Sequence, residues 1–254
     1  MERGKPSTSE ENNIVYGRNP VIEAVKSGKV LKVIIKFGVK GKEIRELENL
    51  LKEKKVPFTF KDKNFFKDYP KSQGVIAYVS PVRIRDIREI KAGKSDIYVL
   101  VSNIEDPENF GAIIRSSECF GVKGIIFPKR RGVTITPSVI KASAGSIFHI
   151  PIYEIGSVLS GIETLKEKGL WIVTLDMKGK QILGKVDIPF PVVLVVGGEG
   201  KGAGKKVIEK SDMVLKIPMY GKVNSLNASV SAGIALFELT KIRERYFSNS
   251  FYKN

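Results

Sequence analysis

Three polar clusters, each following a short apolar run, hold the side chains best suited to chemistry. The first is Ile217-Pro-Met-Tyr-Gly-Lys-Val-Asn-Ser-Leu-Asn227, which continues into the apolar stretch Ala228–Glu238. The strand-like run Val214–Ile217 stops at Pro218. A polar loop with Asn224, Ser225 and Asn227 then feeds a predicted helix reaching about Thr240. Serine and asparagine compete with helical backbone for hydrogen bonds, so they suit helix starts and ligand contacts better than helix interiors. Asn227 or Ser225 could cap a core helix, or both could grip a ligand; the segment alone leaves both readings open. The second cluster, Gly197-Gly-Glu-Gly-Lys-Gly-Ala-Gly204, follows Val192–Val196. It offers backbone N–H groups, close approach and one carboxylate, Glu199. A P-loop ending at Lys205 would need a glycine where Glu199 stands and a hydroxyl where Lys206 stands, and no register fits the dinucleotide fingerprint. A ligand-binding loop and a flexible turn both remain. In the third cluster, Asn103–Asn109 leads into Phe110–Gly121. Phe110, Ile113, Ile114, Ser117 and Phe120 are expected to share a buried helical face that Arg115 does not join. Arginine's planar fork of donors suits a phosphate; a surface pair with Glu118 is the alternative.

These clusters must be held by strands. Apolar runs at Ile97–Ser102, Gly124–Phe127, Trp171–Leu175, Val192–Val196 and Val214–Ile217 alternate with helical patterns such as Ile162–Lys168 and Lys205–Lys210. That alternation predicts a mainly parallel sheet covered on both faces, whose ligands bind beyond the strands' carboxyl ends. Upstream, residues 13–80 read as a small separate α/β domain. A helix is predicted around Val21–Val25, a strand over Leu31–Phe37, a helix over Ile44–Leu51 and strands near Pro57–Phe60 and Gly74–Val79, with a short helix near Lys63–Asp68. Residues 1–12 are polar and expected to be disordered. Residues 81–96, charged and weakly periodic, read as a linker to a second domain at 97–254.

The chain has 254 residues and a net charge of +16, which points to a polyanionic partner, most often nucleic acid. Residues 1–80 hold 17 Lys+Arg against 10 Asp+Glu, so no single basic tail carries the excess. A thermophile-like Lys/Glu surface would explain the density of charge but not its sign. One cysteine, Cys119, and one histidine, His149, exclude an internal disulfide, a Cys/His zinc site and any mechanism that needs two histidines. His149 lies among apolar neighbours, where a structural or dimer contact is expected rather than general-base work. No metal is expected. The start lacks the apolar core of a secretory signal and no stretch is long enough to span a bilayer, so a cytoplasmic location is expected.

Taken together, the three clusters resemble the SpoU (TrmH-like) family of RNA 2′-O-ribose methyltransferases, in the SPOUT superfamily. The motifs are Asp106–Arg115, Val195–Gly202 and Ile217–Ser229, with Lys141–Gly145 between the first two; the resemblance runs from about Ile97 to Arg245. Tyr16-Gly17-Arg18 and Gln73-Gly74-Val75 resemble the ribosomal-protein-L30e-like RNA-binding domain of members that modify ribosomal RNA. The resemblance implies an α/β fold with a deep trefoil knot, a homodimer, and S-adenosylmethionine held by Gly197, Gly198, Ile217, Met219 and Leu226. It implies catalytic roles for Asn109, Arg115, Glu199, Ser225 and Asn227, and RNA contacts at Arg18 and nearby lysines. The expected reaction is methyl transfer to a ribose 2′-hydroxyl, with a guanosine of 23S ribosomal RNA as the expected target. Transfer RNA, a ribosomal adenosine in an antibiotic-resistance methylase, and a non-catalytic RNA-binding or ribosome-assembly protein are the alternatives.

Overall fold

A computed structural model describes residues 14–129, 132–198, 200, 202–223 and 225–251. The polar segment 1–12, expected to be disordered, lies outside them. The chain forms two compact units, one running up to Val82 and taking in Ile135–His149, the other comprising Arg83–Thr134 and the chain from Ile150 onward.

The first unit is built on four strands, β1 (Ile14–Tyr16), β2 (Val30–Lys36), β3 (Phe58–Lys61) and β4 (Val75–Val79), in the order β1-β4-β2-β3. Only β2 and β3 run parallel. Helices α1 (Arg18–Lys26) and α2 (Lys42–Glu53) pack on each other, burying Val21, Val25, Leu47 and Leu51. Ile14, Ile34, Ile76 and Phe66 form a separate cluster, so the sheet has apolar cover on more than its helical side. The two N-terminal sequence motifs are one structure here. Gly17 has no side chain to cap α1, and the Gln73 carboxamide oxygen accepts the Arg18 N–H at 3.0 Å instead. The Gly17 N–H donates to the Val75 carbonyl at 3.1 Å.

The segment Ile135–His149, expected within a continuous second domain, groups with this unit. Its helix α3 (Pro137–Ala142), which the sequence reading did not isolate, packs on β1. The Lys141 ammonium stands over the Tyr16 ring, 5.2 Å from its centroid, and a β-carbon on Gly145 would run into Glu23 and Pro20. His149 Nε2 lies 3.0 Å from the Glu23 carboxylate, which gives the histidine a structural contact within the unit.

The second unit is an eight-stranded sheet whose observed pairings are all parallel. The strands are β5 (Ile84–Asp86), β6 (Ile97–Ser102), β7 (Gly124–Pro128), β8 (Ile152–Ile155), β9 (Trp171–Leu175), β10 (Gln181–Ile182), β11 (Val192–Gly197) and β12 (Met213–Lys216), ordered β10-β12-β9-β11-β6-β7-β8-β5. Every residue of β6 is buried, as a strand covered on both faces requires. Leu100, Ile126, Ile172, Val193 and Val195 join the core formed with α5 (Val158–Glu167) and α6 (Lys205–Lys210). Helices α4 (Pro107–Cys119) and α7 (Ala228–Phe251) pack against each other and reach β7 and β11 respectively. The stretch 81–96, expected as a linker, instead contributes β5 to the sheet edge beside β8 and buries Ile87 and Ile90 in the core. Its dense charge hid this because its two buried isoleucines are spaced too irregularly to read as an element. Among the described residues no helix is long and apolar enough to cross a membrane.

Candidate active site

The carboxyl ends of β9, β11 and β12 carry the loops that line one cleft, and the loop after β6 is hydrogen-bonded to the one after β11. After β6, Asp106 caps α4: its carboxylate accepts the N–H groups of Glu108 at 3.2 Å and Asn109 at 3.0 Å, and Pro107 opens the helix. Phe110, Ile113, Ile114 and Ser117 are buried as expected, and Phe120 is half-buried. Arg115 is exposed, and among the described residues it forms no ion pair, with Glu118 or with any other acid.

The glycine loop after β11 is fastened down. The Gly198 N–H donates to the Ser102 carbonyl at 2.8 Å, and the Gly202 N–H donates to the Gly198 carbonyl at 3.1 Å. Ser102 Oγ donates to the Ala203 carbonyl at 3.2 Å and Asn103 Nδ2 to the Gly202 carbonyl at 3.3 Å. A β-carbon on Gly197 would run into the Gly202–Ala203 backbone, and one on Gly198 into the Asn103 carbonyl. Glycine is thus required here for close approach, and the flexible-turn reading falls. Glu199 lies outside the described residues.

The third loop ends at α7, whose cap is Asn227 rather than Ser225. The Asn227 carboxamide oxygen accepts the Ser229 N–H at 2.9 Å, the Ser229 hydroxyl at 2.6 Å and the Val230 N–H at 3.3 Å. Its nitrogen donates to the Asn109 carboxamide oxygen at 2.8 Å, joining the starts of α4 and α7. Asn227 therefore caps a helix and reaches a neighbouring candidate at the same time. Asn224 lies outside the described residues.

Between these loops is a cleft of about 710 Å³. Gly197, Gly198, Ile217, Met219, Ser225, Leu226 and Asn227 all line it. Asn109 is tied to it through Asn227, whereas Arg115 is not among its lining residues. Asp176 and Met177, in the turn after β9, line it too. They were missed, although the strand-end rule applied to Trp171–Leu175 would have pointed to them. The Asp176 carboxylate accepts the Lys178 N–H at 2.9 Å with one oxygen, while the other faces Gly202. Apolar walls with a few convergent polar groups, at this volume, match the usual make-up of a cofactor site.

Arg18 is in the first unit, apart from this cluster. Its guanidinium donates to the Glu43 carboxylate at 3.1 Å and the Lys40 carbonyl at 3.4 Å, which fastens the Gly38–Gly41 turn. Glu43, in turn, has its acidity strengthened mainly by a backbone hydrogen bond of its own and then by Arg18.

Residues 96–237 match the SpoU rRNA methylase family, and residues 14–85 match the family of RNA 2′-O ribose methyltransferase substrate-binding domains. A protein of Staphylococcus saprophyticus, assigned to the TrmH family of tRNA/rRNA methyltransferases, is 36% identical over 241 residues. That match covers 92% of this chain and 97% of the relative. In fold, the chain is similar to the SpoU methyltransferase AviRb of Streptomyces viridochromogenes in complex with AdoMet. The TM-score is 0.77 at 24% identity, over 91% of this chain and 90% of that one. It is also similar to the TrmH/SpoU tRNA modifying enzyme of A. aeolicus, with a TM-score of 0.54 at 30% identity, over 65% of this chain and 84% of that one.

Proposed function

The chain belongs to the SpoU methylase family, and from that premise we propose how its residues carry the reaction and which RNA they act on. The protein is an S-adenosylmethionine-dependent RNA 2′-O-ribose methyltransferase. Its target in this reading is a guanosine of 23S ribosomal RNA, modified in the cytoplasm. A basic chain with a matched substrate-binding region before the catalytic one supports a large structured RNA. Transfer RNA is the second reading, favoured by the similarity to a tRNA modifying enzyme.

The observation that carries the proposal is the single cleft formed by Gly197–Gly198, Ile217–Met219 and Ser225–Asn227. It fits S-adenosylmethionine. Ile217, Met219 and Leu226 provide apolar walls for a base, and the bare backbone at Gly197 and Gly198 offers donors and acceptors to a ring edge. The Asp176 carboxylate suits a hydroxyl or a cationic group. Bound there, the donor supplies an electrophilic methyl group on a sulfonium sulfur.

The chain's own task is to hold a ribose 2′-hydroxyl and stabilise the alkoxide that develops as its proton leaves. Arg115 forms no ion pair among the described residues, so its planar fork of donors serves as a phosphate anchor and alkoxide stabiliser. Asn109, held by Asn227, orients Arg115 or the ribose. Ser225 and Asn227 pin the nucleotide against the cofactor loop, and Glu199 holds the arginine or a substrate hydroxyl. Arg18 acts on RNA through the turn that it fastens. The same premise gives the second unit a deep trefoil knot and the first an L30e-like fold. Support for the knot comes from β12, the last strand, which lies inside the sheet and is followed by a helix packed on α4. A homodimer forms through Val230, Ile234 and Phe237, which make an exposed apolar stripe at helical spacing on α7.

Calorimetric titration with S-adenosylmethionine, combined with mass spectrometry of ribosomal and transfer RNA from a deletion strain, tests the whole reading. Loss of one 2′-O-methylguanosine from 23S RNA is the expected result. Loss from transfer RNA moves the substrate to the second reading, and unchanged RNA overturns both.

A further inference from the structure

The first unit carries a concavity of its own, about 620 Å³, between the turn after β2 and the stretch 63–74. Lys36, Lys63 and Lys67 line it, and no aspartate or glutamate does. Among the described residues none of these lysines forms an ion pair. Phe37 also lines it and is 65% exposed, an unusual position for a phenylalanine in a unit with a well-filled core. Its ring stacks on Phe60, itself 40% exposed, with centroids 5.5 Å apart and planes at 25°.

The site is already built. The Lys36 N–H donates to the Gly74 carbonyl at 2.9 Å and the Phe37 N–H to the Lys61 carbonyl at 2.8 Å, so ladder bonds fix both residues. Gly74 packs on Val39 and Lys36 closely enough that a β-carbon would crowd both. The Asp62 carboxylate accepts the Asn64 and Phe65 N–H groups at 2.9 and 3.2 Å, which holds the following turn. On the other side, Arg18 fastens the Gly38–Gly41 turn.

Unpaired lysines without acids attract a polyanion, and an exposed ring set among them offers a flat apolar surface. Paired bases in a duplex hide their faces, whereas an unstacked base presents one. An acidic protein segment would satisfy the charge and leave the ring uncovered. We propose that this pocket takes an unpaired nucleotide of the RNA substrate, its base stacked on Phe37 and the adjoining phosphates on Lys36, Lys63 and Lys67. The proposal rests on the methyltransferase reading and assigns it a substrate-selecting site.

The test uses full-length protein, fluorescence anisotropy and two RNA probes: an unstructured strand of roughly ten nucleotides, and a duplex of matching length. Phe37→Leu should weaken single-strand binding at least about fivefold, the low end for loss of one base–aromatic stack, and leave duplex binding unchanged. Lys63→Gln with Lys67→Gln should lower the slope of log affinity against log salt by about 1.4, the value for two phosphates of a single strand. Both variants should raise KM for RNA while leaving S-adenosylmethionine affinity and kcat at saturating RNA unchanged. If Phe37→Leu lowers the melting temperature, Phe37→Trp decides: it must bind the single strand at least as tightly as the natural protein. Variants that bind single strands normally overturn the site, as does an equal loss on duplex and single strand. If the natural protein still methylates RNA in those cases, the methyltransferase reading stands. A natural protein that binds neither RNA probe overturns the pocket, and one that transfers no methyl group to any RNA overturns the reading beneath it.

Discussion

At the residue scale, Arg115 makes the sharpest prediction. It is exposed, and among the described residues no acid offsets its charge, so its donors are free for a phosphate and a developing alkoxide. Arg115→Ala should lower kcat by about a hundredfold or more, as removal of a transition-state donor does, with S-adenosylmethionine binding by calorimetry unchanged. A variant that turns over at the natural rate would remove Arg115 from the chemistry. The family resemblance, not residue types alone, implied Gly197, Gly198, Ile217, Met219 and Leu226 as one set: the first two follow β11, the next two follow β12 with β9 between the strands, Leu226 precedes α7, and all five line the cleft. Asp176 was not picked out, because a lone acid in a short turn matches no motif and only its place after the strand Trp171–Leu175 marks it. The family resemblance implies an RNA contact at Arg18, and the structure adds its ion pair with Glu43. Nothing local shows that Glu43, on the next helix, turns back to hold it.

At the element scale, two helix starts share one bridge. Asp106 caps α4, Asn227 caps α7, and the Asn227–Asn109 hydrogen bond links them. Asn227→Ser should separate the two duties, since a serine caps a helix well and is too short to reach Asn109. Stability by denaturant titration should stay within about 1 kcal/mol of the natural protein, and kcat should fall; equal kcat would confine Asn227 to capping. Helices with a clear apolar stripe and most strands of four residues or more were readable, but the four-residue β8 (Ile152–Ile155) was not. The three-residue β1 and β5, the two-residue β10 and the short α3 were not, since so few residues cannot establish a period. β5 also carries a charge-dependent lock. The Arg88 guanidinium donates to both Asp86 oxygens, at 2.8 and 2.6 Å, and this, more than the Arg88 N–H bond, holds the carboxyl at about 2. A folded-state value below the unfolded one stabilises at neutral pH, and the effect is lost as pH falls from the ordinary carboxylate range through about 2. Asp86→Asn should therefore lower the melting temperature at pH 7, with the difference from the natural protein closing in strong acid. A difference independent of pH would show that the charge is not what matters.

At the scale of the whole molecule, charge and apolar surface give separate instructions. The +16 net charge speaks for RNA, while the exposed stripe of Val230, Ile234 and Phe237 on α7 speaks for a second copy of the chain. Ile234→Asp combined with Phe237→Asp should halve the native mass measured by light scattering; a natural protein already monomeric would discard the dimer. Composition alone pointed to a polyanionic partner and the family resemblance implied a homodimer, but which residues of α7 stand exposed needed the helix to be seen, because Phe237 reads equally well as core. The excursion of Ile135–His149 into the N-terminal unit has a different consequence. The backbone passes between the two units three times, so the N-terminal unit is not a cassette that can be clipped off at Val82. A fragment beginning at Arg83 would carry Val139, Ile140 and Ile147, all buried in the intact protein, without the neighbours that bury them. Such a fragment should aggregate on expression, whereas the same fragment with 135–149 replaced by a short glycine-serine loop should remain dispersed. Any gene rearrangement that traded this RNA-binding module for another would have to exchange two separate stretches of coding sequence at once.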